Sequence, residues 1–281
     1  MIEVVKAGLY DTIQDLGRNF YQQYGIPYSG VMDRTSAKIA NGLLGNETDA
    51  AVLEFTLMAP KLKFHESTSI CISGAECHAA VNGKSIKNNQ VVNIKQGDLL
   101  SFSRCAKGFR GYVAVKGGFL TQKIMGSRSQ YKGITETHRL VKGDKLQIVS
   151  KSEYYESGAE ISRLRLDHFD SGFIEVMLGR EFDYLPVEIQ YQLFEQVFTV
   201  SSFSNRMAYQ CDESIANSLK PIITSLILPG TVQLTPSGQL MILMQDCQVT
   251  GGYPRILQLS EDSIDKLSQK RIGSKFQFKR I

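Results

Sequence analysis

The chain has 281 residues, which is enough for one large domain or two of ordinary size, each with its own core. Hydrophobic residues make up 42% and charged residues 21%, and 24 glycines accompany alternating apolar patterns, so a turn-rich β protein is expected. The net charge of +4 includes one concentrated basic run, Lys266–Arg280, which is typical of a solvated face. Nucleic-acid binding is therefore not expected.

The cysteines are odd in number and include no C-x-x-C pair, which argues against a disulfide framework or a zinc site and favours a reducing compartment. The amino terminus lacks the features of a signal peptide, and no apolar stretch approaches the ~20 residues needed to span a bilayer. We therefore expect a cytoplasmic protein with no membrane contact. The five cysteines are Cys71, Cys77, Cys105, Cys211 and Cys247.

The first elements in chain order are a strand, a loop, a helix and a second strand. Ile2–Lys6 predicts a short strand, and the polar, glycine-broken segment Gly8–Gly30 predicts a long structured loop. Asp33 predicts the N-cap of a helix that runs to about Leu44, because its side chain can accept a backbone N–H of the first turn. Val52–Leu57 follows as a strand.

The pattern from residue 61 to residue 149 is strand after strand. Asn82-Gly83 between two of these strands is a strong hairpin signal. The predicted strands are Leu62–Phe64, Ser69–Ser73, His78–Val81, Val91–Ile94, Leu99–Phe102, Gly111–Val115 and Lys145–Val149.

A polar segment without periodicity, Lys151–Ser162, predicts a linker, and it divides the chain into domains 1–150 and 160–281. Ser260–Gln269 predicts a short helix in the second domain. We expect a mostly β protein with fewer than about a fifth of its residues in helices. The predicted strands of the second domain are Phe173–Leu178, Phe198–Val200, Gly230–Leu234, Gln239–Met244, Ile256–Leu259 and Lys275–Phe278.

Three polar clusters are candidates for chemistry, because each lies in or beside a glycine-containing loop where folded domains often carry binding groups. They are Thr12–Arg18, Pro27–Asp33 with Glu54 further on, and Gln245–Arg255, which directly follows an apolar strand. The candidate residues are Gln14, Asp15, Arg18, Ser29, Asp33, Glu54, Asp246, Gln248, Thr250, Gly251, Gly252, Tyr253 and Arg255.

Each cluster also has a purely structural interpretation. Asp33 can be a helix cap alone, Glu54 a buried carboxylate satisfied by Arg18 or by loop amides, and Arg18 an anchor of its own loop. Gly251-Gly252 can form a turn alone. Several other site types are missing from the sequence, among them a Walker loop, a G-x-S-x-G elbow, an H-E-x-x-H motif and a Met-Lys-Met biotinylation site.

These clusters resemble the conserved patterns of a known family, variously called the 5-oxoprolinase C subunit, KipA, biotin-dependent carboxyltransferase or allophanate hydrolase subunit 2. The matches run in the family's order from residue 8 to residue 254. They are Gly8–Arg18, Gly25–Asp33, Ala40–Asn46, Leu53-Glu54, Ser73–Ala75, Gly117-Gly118, Gly126–Ser129, Ser204–Met207, Pro229–Gln233 and Asp246–Pro254.

The sequence departs from the family pattern mainly after its first third, so it resembles a divergent member. Gln130 stands where the pattern G-S-R-S-T has threonine, and Ile134–His138 replaces an expected glycine pair. Ala208 and Gln210 alter the pattern R-M-G-Y-R, and Val249 replaces the first threonine of D-x-Q-T-T-G-G-Y-P.

The resemblance implies a fold of two tandem cyclophilin-like β-barrel domains with few short helices. It implies ATP-dependent opening of 5-oxo-L-proline to L-glutamate, with ATP and Mg²⁺ needed at the level of the complex and no covalent biotin on this chain. The implied partners are the KipI-like B subunit of 5-oxoprolinase and its LamB/YcsF-like A subunit. The chain alone is expected to be inactive or weakly active.

Within that activity, the four carboxylates named above would position water or hold Mg²⁺, and Arg18 and Arg255 would anchor the anionic substrates. Amides of Gly251 and Gly252 would cradle an anion. We expect the cleft at the boundary with the KipI-like partner, with Arg18, Asp33 and Asp246 in its wall, although these clusters could instead brace the two barrels. An aromatic residue before Pro254 makes that peptide bond a candidate for the cis form.

Two other functions remain open at this stage. One is the carboxyltransferase half of a biotin-dependent urea or amide carboxylase, since the same family name covers such proteins. The other is a non-catalytic regulator of a histidine-kinase inhibitor, which the name KipA implies and which the altered C-terminal pattern favours.

Overall fold

The computed structural model describes residues 1–149, 169 and 171–281, and these divide into two compact units. The first contains Met1–Arg18 and the described residues of Ser29–Arg165, and the second contains Asn19–Tyr28 and the described residues of Leu166–Ile281. The predicted linker at residues 151–162 lies outside the described residues. The predicted domain bounds of 1–150 and 160–281 therefore stay predictions.

The first unit is a nine-stranded antiparallel sheet with one helix, α1 (Arg34–Leu43). Its strands are β1 (Ile2–Lys6), β2 (Asp11–Gln14), β3 (Val52–Thr56), β4 (Lys61–Phe64), β5 (Thr68–Val81), β6 (Lys84–Ile86), β7 (Val91–Ile94), β8 (Leu99–Val115) and β9 (Lys145–Leu146). Six strands follow the order β2-β3-β8-β4-β1-β9, and β5 pairs with β6, β7 and β8.

The second unit is a seven-stranded sheet, a two-stranded sheet and two helices, α2 (Val187–Glu195) and α3 (Glu261–Ser268). The strands of the large sheet, in spatial order, are β11 (Phe198–Thr199), β18 (Lys275–Arg280), β10 (Phe173–Leu178), β17 (Arg255–Leu259), β14 (Thr231–Leu234), β15 (Gln239–Leu243) and β12 (Ala208–Ser214). The small sheet pairs β13 (Ser225–Leu226) with β16 (Thr250–Gly251).

This architecture confirms the predicted fold class, which is mostly β with curled sheets and, among the described residues, three helices of 10, 9 and 8 residues. Several element predictions were wrong. The strands β5 and β8 each merge two predicted strands, and β2 lies within the predicted loop. The sequence analysis also missed α2 and β12.

The merged strands bend at register shifts beside Gly74. Gly74 has a φ of 79°, in the left-handed region, and a Cβ at this position would lie 2.6 Å from the Arg110 carbonyl oxygen. Glycine is therefore required where β5 bends, and the sequence pattern breaks there although the strand continues.

Alternation along the strands gives the first unit one apolar face and one polar face. Ile13, Leu53, Val113 and Ile72 occupy directly paired positions on β2, β3, β8 and β5, and all four belong to the apolar core. Residues one position away on the same strands must face the opposite side of the sheet. That opposite side carries the candidate site.

One cysteine pair corrects a sequence prediction. Cys77 and Cys105 lie opposite each other on β5 and β8 and form a disulfide, although the cysteine pattern predicted none. Cys71, Cys211 and Cys247 are buried free thiols. No helix in the described ranges is both long and apolar enough to cross a membrane.

Candidate functional site

A row of polar side chains, here called the polar row, crosses the face of the first sheet that lies opposite its apolar core. Thr12 pairs with Glu54, Glu54 with Tyr112, and Tyr112 with Ser73, so the four side chains lie side by side on β2, β3, β8 and β5. All four are no more than 1% exposed. Polar side chains in such a buried row need partners, and the segment that covers the row supplies them to Glu54 and Tyr112.

The segment before α1 supplies those partners. The Met32 amide donates to Glu54 Oε2 at 2.8 Å, and the Tyr112 hydroxyl donates to the same oxygen at 3.0 Å. The Asp33 amide donates to the Tyr112 hydroxyl at 2.8 Å. Burial, together with Glu54 and Asp33, raises the pKa of Tyr112 well above its usual value, so its hydroxyl stays protonated.

Asp33 is confirmed as the N-cap of α1. Its Oδ1 accepts from the Ser36 amide at 2.8 Å and its Oδ2 accepts from the Ser36 hydroxyl at 2.6 Å. The side chain is fully buried. The predicted cap therefore also fixes the segment that covers the polar row.

Three buried hydroxyls in this region have no hydrogen-bond partner among the described residues: Thr12 Oγ1, Ser29 Oγ and Ser73 Oγ. Ser29 adopts a φ of 56°, a left-handed conformation that few residues other than glycine take. Because buried hydroxyls are rarely left without partners, this layer has spare hydrogen-bonding capacity for bound water.

Asp15 organises a loop from a distant part of the chain. Its Oδ1 accepts from the hydroxyls of Ser127 and Ser129 at 2.6 and 2.7 Å, and its Oδ2 accepts from the Arg128 amide at 2.5 Å. Arg18 is fully buried, and its Nη2 donates to the Ser129 carbonyl. Asp15 and Arg18 therefore hold the segment 127–129 in place.

Gln130, a departure from the family pattern, continues the same network. Its backbone amide donates to the Ile13 carbonyl, and its Oε1 accepts from the Ile13 amide, along the edge of β2 that does not pair with β3. Gln14 donates from Nε2 to the Gln130 carbonyl at 3.1 Å and accepts from the Gly30 amide at 3.1 Å. Gln14 therefore joins the loop around residue 130 to the segment that covers the polar row.

A cavity of about 330 Å³ opens beside this loop. β2 and β9 lie at the two ends of the strand order. The segment 119–140 forms backbone hydrogen bonds to β2 and to the residues directly after β9. We call this cavity the seam cavity. Its lining residues are Leu120, Thr121, Gln122, Ile124, Arg128, Gln130, Thr135, Glu136, Thr137, Leu140, Asp144, Lys145, Leu146 and Gln147.

Two forked ion pairs, one buried and one partly exposed, organise the second unit. Arg206 donates from Nε to Asp246 Oδ2 at 2.8 Å and from Nη2 to Oδ1 at 3.0 Å. Arg255 makes the same fork to Glu181, at 2.9 and 2.7 Å. Hydrogen bonding to Arg255 lowers the pKa of Glu181, and Glu181 in turn raises the pKa of Arg255.

The third predicted cluster places three side chains at the surface of the second unit. Gln248, Thr250 and Tyr253 are exposed and lie between buried neighbours. Thr250 and Gly251 form β16, so Gly251 is part of a strand pair as well as of a glycine turn. The Tyr253–Pro254 bond is trans, so the predicted cis form was wrong.

Comparison with known proteins places this arrangement in a family. The family model "Carboxyltransferase domain, subdomain A and B" matches residues 24–280. The chain belongs to this carboxyltransferase domain family.

Individual relatives agree with this assignment. This carboxyltransferase domain is 31% identical to the C subunit of 5-oxoprolinase from Escherichia coli, and the match covers 99% of this chain and 90% of the relative. The crystal structure of TTHA0988 matches 99% of the chain with a TM-score of 0.87 and 26% identity, and the chain spans 55% of that protein. The Kluyveromyces lactis urea carboxylase structure matches with a TM-score of 0.83 and 25% identity, over 99% of this chain and 27% of that one.

In this carboxyltransferase domain, the first unit brings together most residues of the first two predicted clusters, and the second unit contains the third. The catalytic and substrate-binding assignments stay predictions. Arg18 and Asp33 are fully buried and do not reach solvent, whereas the wall of a cleft requires accessible groups. The first-unit residues are Gln14, Asp15, Arg18, Ser29, Asp33 and Glu54, and the second-unit residues are Asp246, Gln248, Thr250, Gly251, Gly252, Tyr253 and Arg255.

The four predicted carboxylates are engaged by protein groups. Asp15, Asp33 and Asp246 accept hydrogen bonds at both carboxylate oxygens, and Glu54 accepts two at Oε2. Within the described residues, no three histidine, cysteine or acidic side chains are placed to hold a metal ion together.

Sequence reasoning missed the partners of these carboxylates. Tyr112 and Glu181 carry no motif signal of their own, and Arg206 was visible only within the match Ser204–Met207, because their roles depend on strand pairing and ion pairing across the fold. Arg128 was visible within the G-S-R-S match, but only the structure shows that its side chain lines the seam cavity.

Asp11 on β2 predicts a measurable pH dependence of stability. Burial raises its pKa from 3.8 to about 7, and the Gly8 amide opposes this only in part. Because the unfolded chain loses this proton first, the contribution of Asp11 to the free energy of unfolding falls between about pH 4 and pH 7 and stays low above pH 7.

Asp11→Asn should remove this dependence. The free energy of unfolding of the variant minus that of the parent should rise by about 2–4 kcal/mol from pH 5 to pH 8, as measured by urea unfolding. A difference between the two proteins that does not change with pH would contradict the assignment.

Proposed function

We propose that this carboxyltransferase domain is the C subunit of an ATP-dependent 5-oxoprolinase complex that opens 5-oxo-L-proline to L-glutamate. The observation that carries the proposal is the share of each relative's length that this chain matches. The chain accounts for 90% of the C subunit of Escherichia coli 5-oxoprolinase but only 27% of the Kluyveromyces lactis urea carboxylase. A free-standing relative of matching length supports the first activity better than the second.

The chemistry explains why such a protein works within a complex. A lactam carbonyl is a poor electrophile, so water near neutral pH needs it activated, and ATP supplies a phosphoryl group for that purpose. The predicted catalytic carboxylates of the first unit, Asp15, Asp33 and Glu54, accept hydrogen bonds from protein groups. We therefore propose that ATP and Mg²⁺ are bound with the help of the KipI-like and LamB/YcsF-like partners.

The exposed residues of the third cluster suit contact with a partner chain or with substrate. Gln248, Thr250 and Tyr253 present an amide, a hydroxyl and an aromatic ring at the surface, while the ion pairs of Arg206 and Arg255 fix the backbone around them. In this proposal the buried residues of the first two clusters position the loops, and the exposed ones meet partners or substrate.

The test is co-purification of the chain with its KipI-like and LamB/YcsF-like partners, followed by measurement of 5-oxoproline-dependent release of ADP and glutamate. We expect turnover by the complex and little or none by the single chain. Robust turnover by the single chain contradicts the shared site, and a stable complex that never hydrolyses 5-oxoproline contradicts the activity.

Asp33→Asn separates catalysis from scaffolding in that assay. Asparagine is as good an N-cap as aspartate, so α1 and the complex should stay intact. Loss of turnover in an intact complex supports the predicted catalytic role of Asp33, and full turnover supports a positioning role through the cap.

A second candidate is the carboxyltransferase half of a biotin-dependent urea or amide carboxylase, favoured by the fold match to the urea carboxylase over 99% of the chain. Transfer of a carboxyl group from carboxybiotin to urea by the purified chain with its partners tests it. The absence of both activities from an intact complex would favour the regulatory alternative.

A further inference from the structure

The seam cavity lies in the first unit, and most of its lining residues are polar or charged. Its four aliphatic lining residues are Leu120, Ile124, Leu140 and Leu146. A volume of about 330 Å³ is at the lower end of the range for small-molecule sites. The composition therefore fits a small polar ligand with a short hydrocarbon part.

Arg128 supplies a fixed cation in the cavity lining. Its backbone amide donates to Asp15 Oδ2, and its Nη1 donates to the Thr121 carbonyl. Its Nε and Nη2 make no hydrogen bond to the described part of the chain, and this pair of nitrogens can take a carboxylate in a bidentate fork. A carboxylate bound there would meet a guanidinium that the protein already holds in position.

The other charges of the lining disfavour a polyphosphate. Lys145 adds a second positive charge, but Glu136 and Asp144 add two negative ones, so the lining is neutral overall. Each further negative charge on a ligand adds repulsion from these two carboxylates, so a monoanion paired with Arg128 is favoured over a polyphosphate.

We infer that the seam cavity is a binding site for small organic monocarboxylates, in which Arg128 holds the carboxylate and the aliphatic residues contact the hydrocarbon. The inference rests on the proposed function only in the choice of 5-oxo-L-proline as one probe. The second probe, cyclopentanecarboxylate, keeps the ring and the carboxylate but lacks the lactam.

The test is titration of both probes, and of the uncharged lactam 2-pyrrolidinone, into the full-length chain by ligand-observed NMR. We expect saturable binding of at least one carboxylate and far weaker binding of 2-pyrrolidinone. Arg128→Gln should weaken binding of the carboxylate roughly 10- to 100-fold, because a bidentate charged contact is lost.

Matched variants separate the site from general effects. Lys123→Gln removes the same charge from the same loop at a residue outside the cavity lining, so it should leave affinity unchanged. Arg128→Lys retains the charge, and we expect an intermediate affinity that keeps the test usable if Arg128→Gln does not fold.

Unchanged carboxylate affinity in Arg128→Gln, or no saturable binding of either carboxylate, overturns the inference. Binding that depends on Arg128, in a complex that fails to hydrolyse 5-oxoproline, supports the site while it contradicts the proposed function. The two ideas can therefore fail separately.

Discussion

Asp246→Ala is expected to lower the free energy of unfolding of the second unit by about 3–5 kcal/mol, because it removes the carboxylate that two nitrogens of the buried Arg206 contact. The two side chains are only 8% and 11% exposed, so water cannot readily replace the lost partner. Urea unfolding monitored by circular dichroism measures the loss.

Two controls identify the buried ion pair as the cause. Glu3→Ala removes a carboxylate from the half-exposed pair with His65 and should cost less than about 1 kcal/mol. Replacing both partners, in Arg206→Met with Asp246→Leu, should recover much of the loss because no isolated charge stays buried. A loss below about 1 kcal/mol in Asp246→Ala would mean that the pair contributes little.

This prediction also affects how activity data are interpreted. Asp246 was predicted as a catalytic carboxylate, and that role stays a prediction. Because the same substitution is expected to destabilise the unit, reduced turnover in Asp246→Ala must be compared per folded molecule. A loss of turnover larger than the loss of folded protein would support a role in the reaction.

Tyr112→Phe is expected to destabilise the first unit by about 2–4 kcal/mol. The substitution removes a hydroxyl that donates to Glu54 and accepts from the Asp33 amide, while the volume of the ring stays almost the same. A lost bond to a buried carboxylate and one to a buried amide each cost about 1–3 kcal/mol, with partial relaxation between them.

Thermal or urea unfolding measures the loss, and hydrogen exchange locates it. The Asp33 amide should exchange faster in Tyr112→Phe than in the parent, ahead of amides in the core strands. Tyr209→Phe is the comparison variant, because the contacts of this buried hydroxyl to the carbonyls of Ser268 and Lys270, at 3.3 and 3.5 Å, are longer than the contacts of Tyr112, and we expect a smaller loss. Equal losses in the two variants would contradict the importance of the polar row.

Much of the secondary structure could be predicted from the sequence, because alternation and capping are local properties. The helix after Asp33 begins where the cap predicted, and Ser260 caps α3 within the predicted helix. β2 was missed because its sequence, Asp11–Gln14, is polar, yet all four of its residues are buried. Gln130, from a distant segment, bonds to Ile13 and Gln14 of this strand, and no local pattern records that contact.

The candidate site also depends partly on local sequence and partly on contacts between distant segments. Residue identity in order along the chain was enough to predict the family and the polar clusters. Which clusters meet depends on the folded chain, since Asp15 holds Ser127 and Ser129 from 112 and 114 residues away. Alternation assigns each residue to a face of its strand but does not give the neighbouring strand or its register, and those pairings form the polar row and the seam cavity.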